Sequence, residues 1–369
     1  MLLHLLAPLA DEHIIFNLFR YITFRAVAAM VTASLLAFIF GPRVIRWLRV
    51  LRFGQVVRTE GPESHLKKAG TPTMGGLLIL ISTLIATLLW ADIANRYVLI
   101  TLAVFVWLGV LGFLDDYLKV VRRRSEGLVG RYKLTGQGLI GFLVGITLLL
   151  WPLSTSVEPT WTSLPFVSDY HINIWVGLFV PWVMFIITGS SNAVNLTDGL
   201  DGLAGGLTAI AAATFAVFAY LVGRVDTSRY LGLMYLPGSG ELTVFCVALA
   251  GAALGFLWFN AHPAEVFMGD TGSLALGGAL GTVALLLKLE FLLAIVGGMF
   301  VVEALSVIGQ VGYFKYTARK YGQGRRLLKM APLHHHFEKS GWTESKIIVR
   351  FWILGLLCSL IAFSTLKIR

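Results

Sequence analysis

The stretch Gly112-Phe-Leu-Asp115-Asp116-Tyr-Leu-Lys119 ends a charge-free run, which begins at Tyr97, with two carboxylates and a lysine. An α-helix needs about 20 apolar residues to cross the hydrocarbon core of a bilayer, and this run has nearly that length. On a helix, Lys119 lies three or four positions after the acids, so its ammonium can reach either carboxylate. The two carboxylates could hold a divalent cation, while the lysine contacts an anionic ligand. A charge cluster that merely ends a span is the simpler alternative.

Long apolar runs recur along the whole chain. Of its 369 residues, 57% are hydrophobic and only 14% are charged, whereas soluble domains carry about 25% charged residues. We predict an all-α fold: a polytopic membrane helix bundle of about ten transmembrane helices, in a single domain that covers residues 1–369. The predicted spans are Tyr21–Phe40, Met74–Ala94, Tyr97–Asp116, Leu134–Leu153, Ile172–Thr188, Leu203–Val222, Leu242–Phe259, Leu274–Leu287, Phe291–Phe314 and Ile347–Leu366.

The basic residues predict the orientation of this bundle, because Lys and Arg concentrate in cytoplasmic connections. The odd-numbered connections hold 21 Lys or Arg residues, whereas the even-numbered connections and both chain ends hold 7. Both termini are therefore expected to be periplasmic. The net charge of +10 follows from this topology and from attraction to anionic membrane lipids. It is poor evidence for nucleic-acid binding, since no separate basic soluble domain exists.

Polar clusters fall on the cytoplasmic connections. Residues 189–202 carry Asn192, Asn195, Asp198 and Asp201, with a glycine after each acid and no basic residue. A spacing of three could place the first three of these on one face of a short turn. A capped loop remains the alternative. By contrast, the outer connection 154–171 lacks Lys and Arg and is expected to be a passive loop.

Two later connections repeat the pattern. In the first, Asn260, Phe267 and Asp270 supply an amide, an aromatic face and a carboxylate, although Asp270 would also serve as a helix N-cap. The second contains Pro332-Leu-His-His-His-Phe-Glu338. Its histidines are better suited to donate hydrogen bonds to a phosphate than to bind zinc. Because every cluster falls on the same side, the sequence predicts one site at the cytoplasmic membrane surface. Its acids imply Mg²⁺ bound together with phosphates.

Five of these segments resemble motifs of the polyprenyl-phosphate N-acetylhexosamine-1-phosphate transferases, and the resemblance covers nearly the whole chain. The segments are Pro72–Gly76, Gly112–Tyr117, Asn195–Leu203, Phe267–Ser273 and Pro332–Glu338. The last of them is similar to the signature of the muramoyl-pentapeptide branch. The resemblance implies an Mg²⁺-dependent enzyme of the bacterial inner membrane with its active site on the cytoplasmic face. It would transfer phospho-MurNAc-pentapeptide from UDP-MurNAc-pentapeptide to undecaprenyl phosphate, giving lipid I and UMP, and a homodimer is a possible assembly.

The resemblance also implies roles for individual residues. Asp115, Asp116 and Asp270 would form the acidic centre and the metal site, with Asp270 the foremost magnesium ligand. His334 would act in catalysis through a phosphate contact. The implied substrate-binding residues are Lys68, Thr73, Lys119, Lys133, Asn192, Asn195, Asp198, Leu200, Asp201, Asn260, Phe267 and His335. Among these, Phe267 would stack on uracil.

Two alternatives stay open at this stage. A related enzyme that uses UDP-GlcNAc and undecaprenyl phosphate shares most of the motifs but is disfavoured by the triple histidine. A transporter would explain acids within a membrane protein as part of an ion path. A transporter predicts charged residues near mid-span and paired helix breaks, whereas the clustered acids of this chain, such as Asp115 and Asp116, fall at the ends of predicted spans.

Overall fold

The computed structural model describes residues 1–50, 70–120, 122, 127–167 and 171–366. Within these ranges the chain is mainly helical. The helices are α1 (Leu2–Leu6), α2 (Ile22–Val50), α3 (Gly76–Trp90), α4 (Arg96–Val120), α5 (Gly130–Leu150), α6 (Val176–Thr197), α7 (Leu203–Val222), α8 (Val225–Leu231), α9 (Leu242–Asn260), α10 (Gly269–Leu286), α11 (Glu290–Val296), α12 (Gly298–Tyr321), α13 (Leu333–Glu338) and α14 (Glu344–Ser364). Short 3-10 segments cover Ala7–Asp11, Ile14–Arg20 and Ser239–Glu241.

Seven of these helices are long and apolar enough to cross a membrane, namely α2, α4, α5, α6, α7, α9 and α14. Helices suit this environment because their main-chain polar groups are satisfied within the segment. The helices α7, α9 and α10 are buried along most of their length and form the centre of the bundle. The helices α2, α4, α5, α6 and α14 expose apolar side chains, such as Ile39, Val110, Phe142, Phe185 and Leu360. The expectation of a polytopic helical membrane protein is therefore confirmed.

Two predicted spans take a different form in the structure. The ninth, Phe291–Phe314, is divided between α11 and α12, which meet at an angle of 86°. The break falls at Gly297 and Gly298, and adjacent glycines are among the ordinary causes of a sharp kink. The fifth was expected to end at Thr188, but α6 continues to Thr197. Asn192 and Asn195 consequently lie on a helix and not in a loop.

The outer connection is not a passive loop. Strand β1 (Trp161–Ser163) pairs antiparallel with β2 (His171–Asn173), and Thr162 lies opposite Ile172. Two contacts tie this pair to the chain between α10 and α11: Lys288 Nζ donates to the carbonyl of Pro159 at 2.5 Å, and Thr162 donates to the Glu290 carboxylate. The all-α expectation is corrected to a helical bundle that carries one small sheet.

Contacts between the helix ends lie at two opposite ends of the bundle, which we call the far end and the site end. At the far end, the Arg25 guanidinium donates to the Glu241 carboxylate at 2.6 and 2.7 Å and to the carbonyl of Trp90 at 3.1 Å. At the site end, main-chain bonds join two segments far apart in sequence. Phe267 N donates to Pro72 O at 2.8 Å, and Gly75 N donates to Phe267 O at 2.8 Å. This second end gathers the polar clusters.

Candidate active site

The acid–lysine centre consists of Asp115, Lys119, Lys133, Asn195 and Asp270. Both lysine Nζ atoms contact Oδ2 of Asp270, at 2.8 and 2.9 Å, and Lys119 Nζ also lies 2.7 Å from Asp115 Oδ2. Asn195 Nδ2 donates to Asp270 Oδ1 at 2.7 Å. Lys119 thus bridges the carboxylates of Asp115 and Asp270. Residues from α4, α5, α6 and α10 therefore form one charged group.

Asp116 performs a different task from its neighbour. Its carboxylate accepts hydrogen bonds from the backbone N–H of Asp270 at 3.1 Å, from Thr271 N at 2.9 Å and from Thr271 Oγ1 at 2.7 Å. The first N–H groups of a helix lack internal partners, and a carboxylate there is favoured by the helix dipole. Asp116 thus anchors the start of α10 and sets the position of Asp270. Asp115 meanwhile accepts from Leu128 N at 2.5 Å.

Gly112 allows the close approach of α4 to α10. A Cβ at this position would lie 2.2 Å from the carbonyl oxygen of Asp270, which is backbone and cannot turn aside. We expect Gly112→Ala to move α4 away from the acid–lysine centre and to reduce activity by about tenfold or more, because overpacking shifts the backbone. Gly205→Ala is the matched control, since a Cβ there would have its nearest neighbour, Met268 Cε, at 3.7 Å. Equal rates for the two variants in a turnover assay would contradict this role.

The 198–202 turn connects α6 to α7 and lies next to the centre. Its first residue, Asp198, is surrounded by other acids: burial together with repulsion from Asp270, Asp116 and Asp201 raises the pKa of Asp198 to about 8. Gly202, which begins α7, has φ of 81°, a conformation that favours glycine. This concentration of carboxyl groups is unfavourable without a cation nearby. Carboxylate oxygens are the ligands that hard cations such as Mg²⁺ prefer.

A carboxylate–histidine cluster, made of Asp201, His262 and Glu344, borders the same turn. His262 Nδ1 lies 3.1 Å from Asp201 Oδ2 and 3.3 Å from Glu344 Oε2. Glu344 Oε1 also accepts from the backbone N–H of Asp201 at 2.9 Å. The cluster joins the 198–202 turn to the loop after α9 and to the start of α14. Asn260 adds a further link, because its Oδ1 accepts from Gly202 N at 2.9 Å.

His334 approaches the 198–202 turn from the other side and is fully buried. Its Nδ1 lies 3.1 Å from Oε1 of the buried Glu303, which also accepts from the backbone N–H groups of Leu333 and His334. His334 Nε2 has no hydrogen-bond partner among the described residues. A Cβ on Gly199 would lie 2.2 Å from that nitrogen. The imidazole is thus packed against the 198–202 turn at Gly199.

The other predicted site residues are spread around this arrangement. Thr73 is buried beside Gly269, Leu200 is buried within the turn, and Phe267 is half-buried. His335 pairs with Glu338 at 2.7 Å. Asn192 points elsewhere: its Nδ2 donates to Gln137 Oε1 and to Thr188 O, away from the acid–lysine centre. Lys68 lies outside the described residues.

Several residues of this region carry no motif in the sequence. Glu303, His262 and Glu344 are single polar residues, and only their structural partners show that they border the site. Of these residues, Glu303 is the one that the sequence could have identified as a candidate. It is an isolated acid inside a predicted span, and such residues are seldom present without a partner or a function.

The chemistry open to this end of the bundle follows from its charges. Two lysines beside carboxylates can contact phosphate oxygens, while carboxylate and amide oxygens can hold a hard divalent cation. Both features suit transfer of a phosphoryl group, whose transition state carries charge on its non-bridging oxygens.

Comparison with known proteins agrees with this chemistry. Residues 97–288 match the family Glycosyl transferase family 4, and residues 68–80 match the phospho-N-acetylmuramoyl-pentapeptide-transferase signature 1. Proteins named phospho-N-acetylmuramoyl-pentapeptide-transferase are similar over the full length of both chains. The identity is 57% in Gemmatimonas aurantiaca, 56% in Citrifermentans bemidjiense and 50% in Thermodesulfovibrio yellowstonii. This chain therefore belongs to the phospho-N-acetylmuramoyl-pentapeptide transferase family.

Proposed function

We propose that the protein transfers phospho-MurNAc-pentapeptide from UDP-MurNAc-pentapeptide to undecaprenyl phosphate, and so forms lipid I and UMP in peptidoglycan synthesis. The observation that carries this proposal is the acid–lysine centre: residues of four helices, distant in sequence, meet within hydrogen-bonding distance. Membership of the family supplies the reaction, and the centre supplies charges suited to a diphosphate substrate. The predicted nucleotide-binding residues of the 198–202 turn lie beside it.

The residues of the centre fit a magnesium ion. Asp270 and Asp115 would hold it, and Asp116 would fix the position of Asp270. Asp198 is close enough to interact electrostatically with Asp270. Burial is the main cause of the raised pKa of Asp198, and repulsion from Asp270 and Asp116 adds to it. That repulsion supports this assignment, because a nearby cation would relieve it. Bound there, Mg²⁺ would neutralise charge on phosphate oxygens during transfer.

The side chains of the protein then act mainly by positioning and electrostatics. Lys119 and Lys133 would contact the diphosphate, and Asn195 holds Asp270 in place. The nucleophile is itself a phosphate, with a second pKa of about 6 by analogy with protein phosphates, so it is mostly dianionic at neutral pH. A general base has little proton left to remove. Asp115 would therefore serve chiefly to orient the metal and the lipid phosphate.

Contacts between helix ends support ten crossings with both termini periplasmic. Helix α3 begins beside Phe267 at the site end and finishes at Trp90 beside Arg25 at the far end, although it has only 15 residues. Helix α10 likewise begins at Asp116 and leads to Lys288, which contacts the outer connection. Both would count as crossings. The charge asymmetry of the connections supports a site on the cytoplasmic face of the bacterial inner membrane.

One assay separates this proposal from its alternatives. Purified protein should release UMP from UDP-MurNAc-pentapeptide, and release should require both undecaprenyl phosphate and Mg²⁺. Release from UDP-GlcNAc instead would indicate the sister enzyme. The absence of release from either nucleotide, under conditions in which the protein remains folded, would contradict a transferase and favour the transporter alternative.

The basic stretch from Arg319 to Lys329 should bind anionic lipid. Its Lys and Arg side chains are exposed, and two of them lie near exposed aromatic rings. Lys320 Nζ lies 5.6 Å from the ring centre of Tyr316, and the Arg325 guanidinium carbon lies 4.9 Å from that of Tyr321. Such residues collect at the membrane interface. We expect charge reversal of Arg325 and Arg326 to lower activity severalfold in anionic bilayers but not in neutral detergent. Equal losses in both media would contradict lipid binding.

A further inference from the structure

The carboxylate–histidine cluster has the geometry of a ligand set. One atom each of Asp201, His262 and Glu344 lies within 4.8 Å of the other two. The two carboxylates are buried, with 2% and 7% of their side chains exposed, whereas 36% of the His262 side chain is exposed. Buried acids and a histidine at the rim leave one side of the cluster open to solvent.

The two separations that involve His262 match a particular class of metal. In a tetrahedral site with bonds of about 2.0–2.1 Å, ligand atoms lie about 3.3 Å apart. His262 Nδ1 is 3.1 Å from Asp201 Oδ2 and 3.3 Å from Glu344 Oε2. An imidazole nitrogen is a ligand for zinc and its neighbours, whereas Mg²⁺ takes oxygen ligands in octahedral geometry.

We propose that Asp201, His262 and Glu344 form a second cation site, selective for Zn²⁺-class divalent ions and distinct from the magnesium centre. Three protein ligands would leave the fourth position to water, on the side where His262 is exposed. Each ligand comes from a different segment: the 198–202 turn, the loop after α9 and the first residue of α14. Occupancy would fix these three segments to one another.

The proposal does not depend on the transferase activity, because its test is binding. The full chain, purified in detergent, freed of any affinity tag and stripped with a chelator, is titrated with Zn²⁺ in a calorimeter and with Co²⁺ by visible absorption. We expect one Zn²⁺ per chain and the absorption bands of tetrahedral Co²⁺. We also expect Mg²⁺ in large excess to leave the Zn²⁺ titration unchanged.

Variants identify the ligands. His262→Asn keeps a polar group near the Nδ1 position and should weaken Zn²⁺ binding by at least about 100-fold, since even outer-shell partners are worth 10–100-fold. Glu344→Gln, a second variant, should weaken it similarly. His336→Asn is the matched control, because it removes a histidine from the triple-histidine segment, the other place where zinc would bind. Asp270→Asn tests independence from the magnesium centre. Both of these last two should bind Zn²⁺ as the parent protein does.

Each of the following results would contradict the proposed zinc site. If folded His262→Asn binds Zn²⁺ as tightly as the parent protein, the histidine is only a hydrogen-bonded partner of two carboxylates. Loss of Zn²⁺ binding in His336→Asn would move the ion to the triple-histidine segment, and loss in Asp270→Asn would move it to the magnesium centre. Failure of the parent protein to bind Zn²⁺ at all would refute the proposal directly.

Discussion

Replacement of Asp270 with Asn should lower the rate of UMP release by about 10³-fold, since a single preorganised polar group at a reacting centre is worth about 10²–10³-fold and this one also carries charge. Asp270 is the residue on which the centre converges: both lysines and Asn195 contact its carboxylate. The amide of Asn has nearly the same shape but cannot neutralise two ammonium groups. The loss should appear in turnover measured at saturating Mg²⁺.

The control for this variant is an acid far from the centre. Asp226 is exposed at the far end of the bundle and pairs with Arg224 at 3.3 Å, so Asp226→Asn should keep the parental rate. Thermal unfolding of both variants in detergent shows whether the fold is intact. A folded Asp270→Asn protein that retained a tenth or more of the parental activity would remove Asp270 from the proposed mechanism.

Replacement of Asp115 with Asn should reduce turnover by about 10²-fold, with a ratio to the parent protein that stays constant from pH 6.5 to 9. The reason is the state of the nucleophile: a phosphate with a second pKa of about 6 is already dianionic over this range. Asp115 would then contribute position and charge, through its contacts with Lys119 and with the amide of Leu128. The measurement is the pH–rate profile of both proteins.

The opposite profile is equally informative. If the deficit of Asp115→Asn vanished as the pH rose well above 7, the carboxylate would be a general base whose work hydroxide had taken over. Asp116→Asn is the neighbouring comparison. Because that carboxylate anchors the start of α10, its loss should lower the unfolding temperature more than the Asp115 change does.

The general location of the site was predictable from the sequence, and the division of labour within it was not. Polar clusters confined to one set of connections required that their side chains lie at one end of a helix bundle, and the contacts between Asp270 and α4, α5 and α6 agree. Adjacent residues on a helix, however, point in different directions. Only the coordinates show that Asp115 faces the lysines while Asp116 faces the start of α10.

Hydropathy also predicted only part of the fold. It located the seven long helices but could not reveal the bend between α11 and α12, because apolar residues continue on both sides of it. It ended the fifth span at Thr188, where the apolar run stops, and could not show that α6 continues through polar residues to Thr197. His262 and Glu344 escaped notice for a related reason: isolated polar residues acquire meaning only from partners that are remote in the chain.

The main-chain bonds between Pro72–Gly76 and Phe267–Met268 have a consequence for mutagenesis. Their donors and acceptors are amide and carbonyl groups, which every residue except proline supplies in full. Alanine at Thr73, Phe267 or Met268 would therefore leave these hydrogen bonds in place, so its effect would report only the lost side chain. Alanine at Gly76 would test the junction sterically, because a Cβ there would lie 2.1 Å from Gly272 N. The hydrogen bonds themselves would be tested by replacements that delete an amide, such as an ester-linked backbone at Gly75 or Phe267.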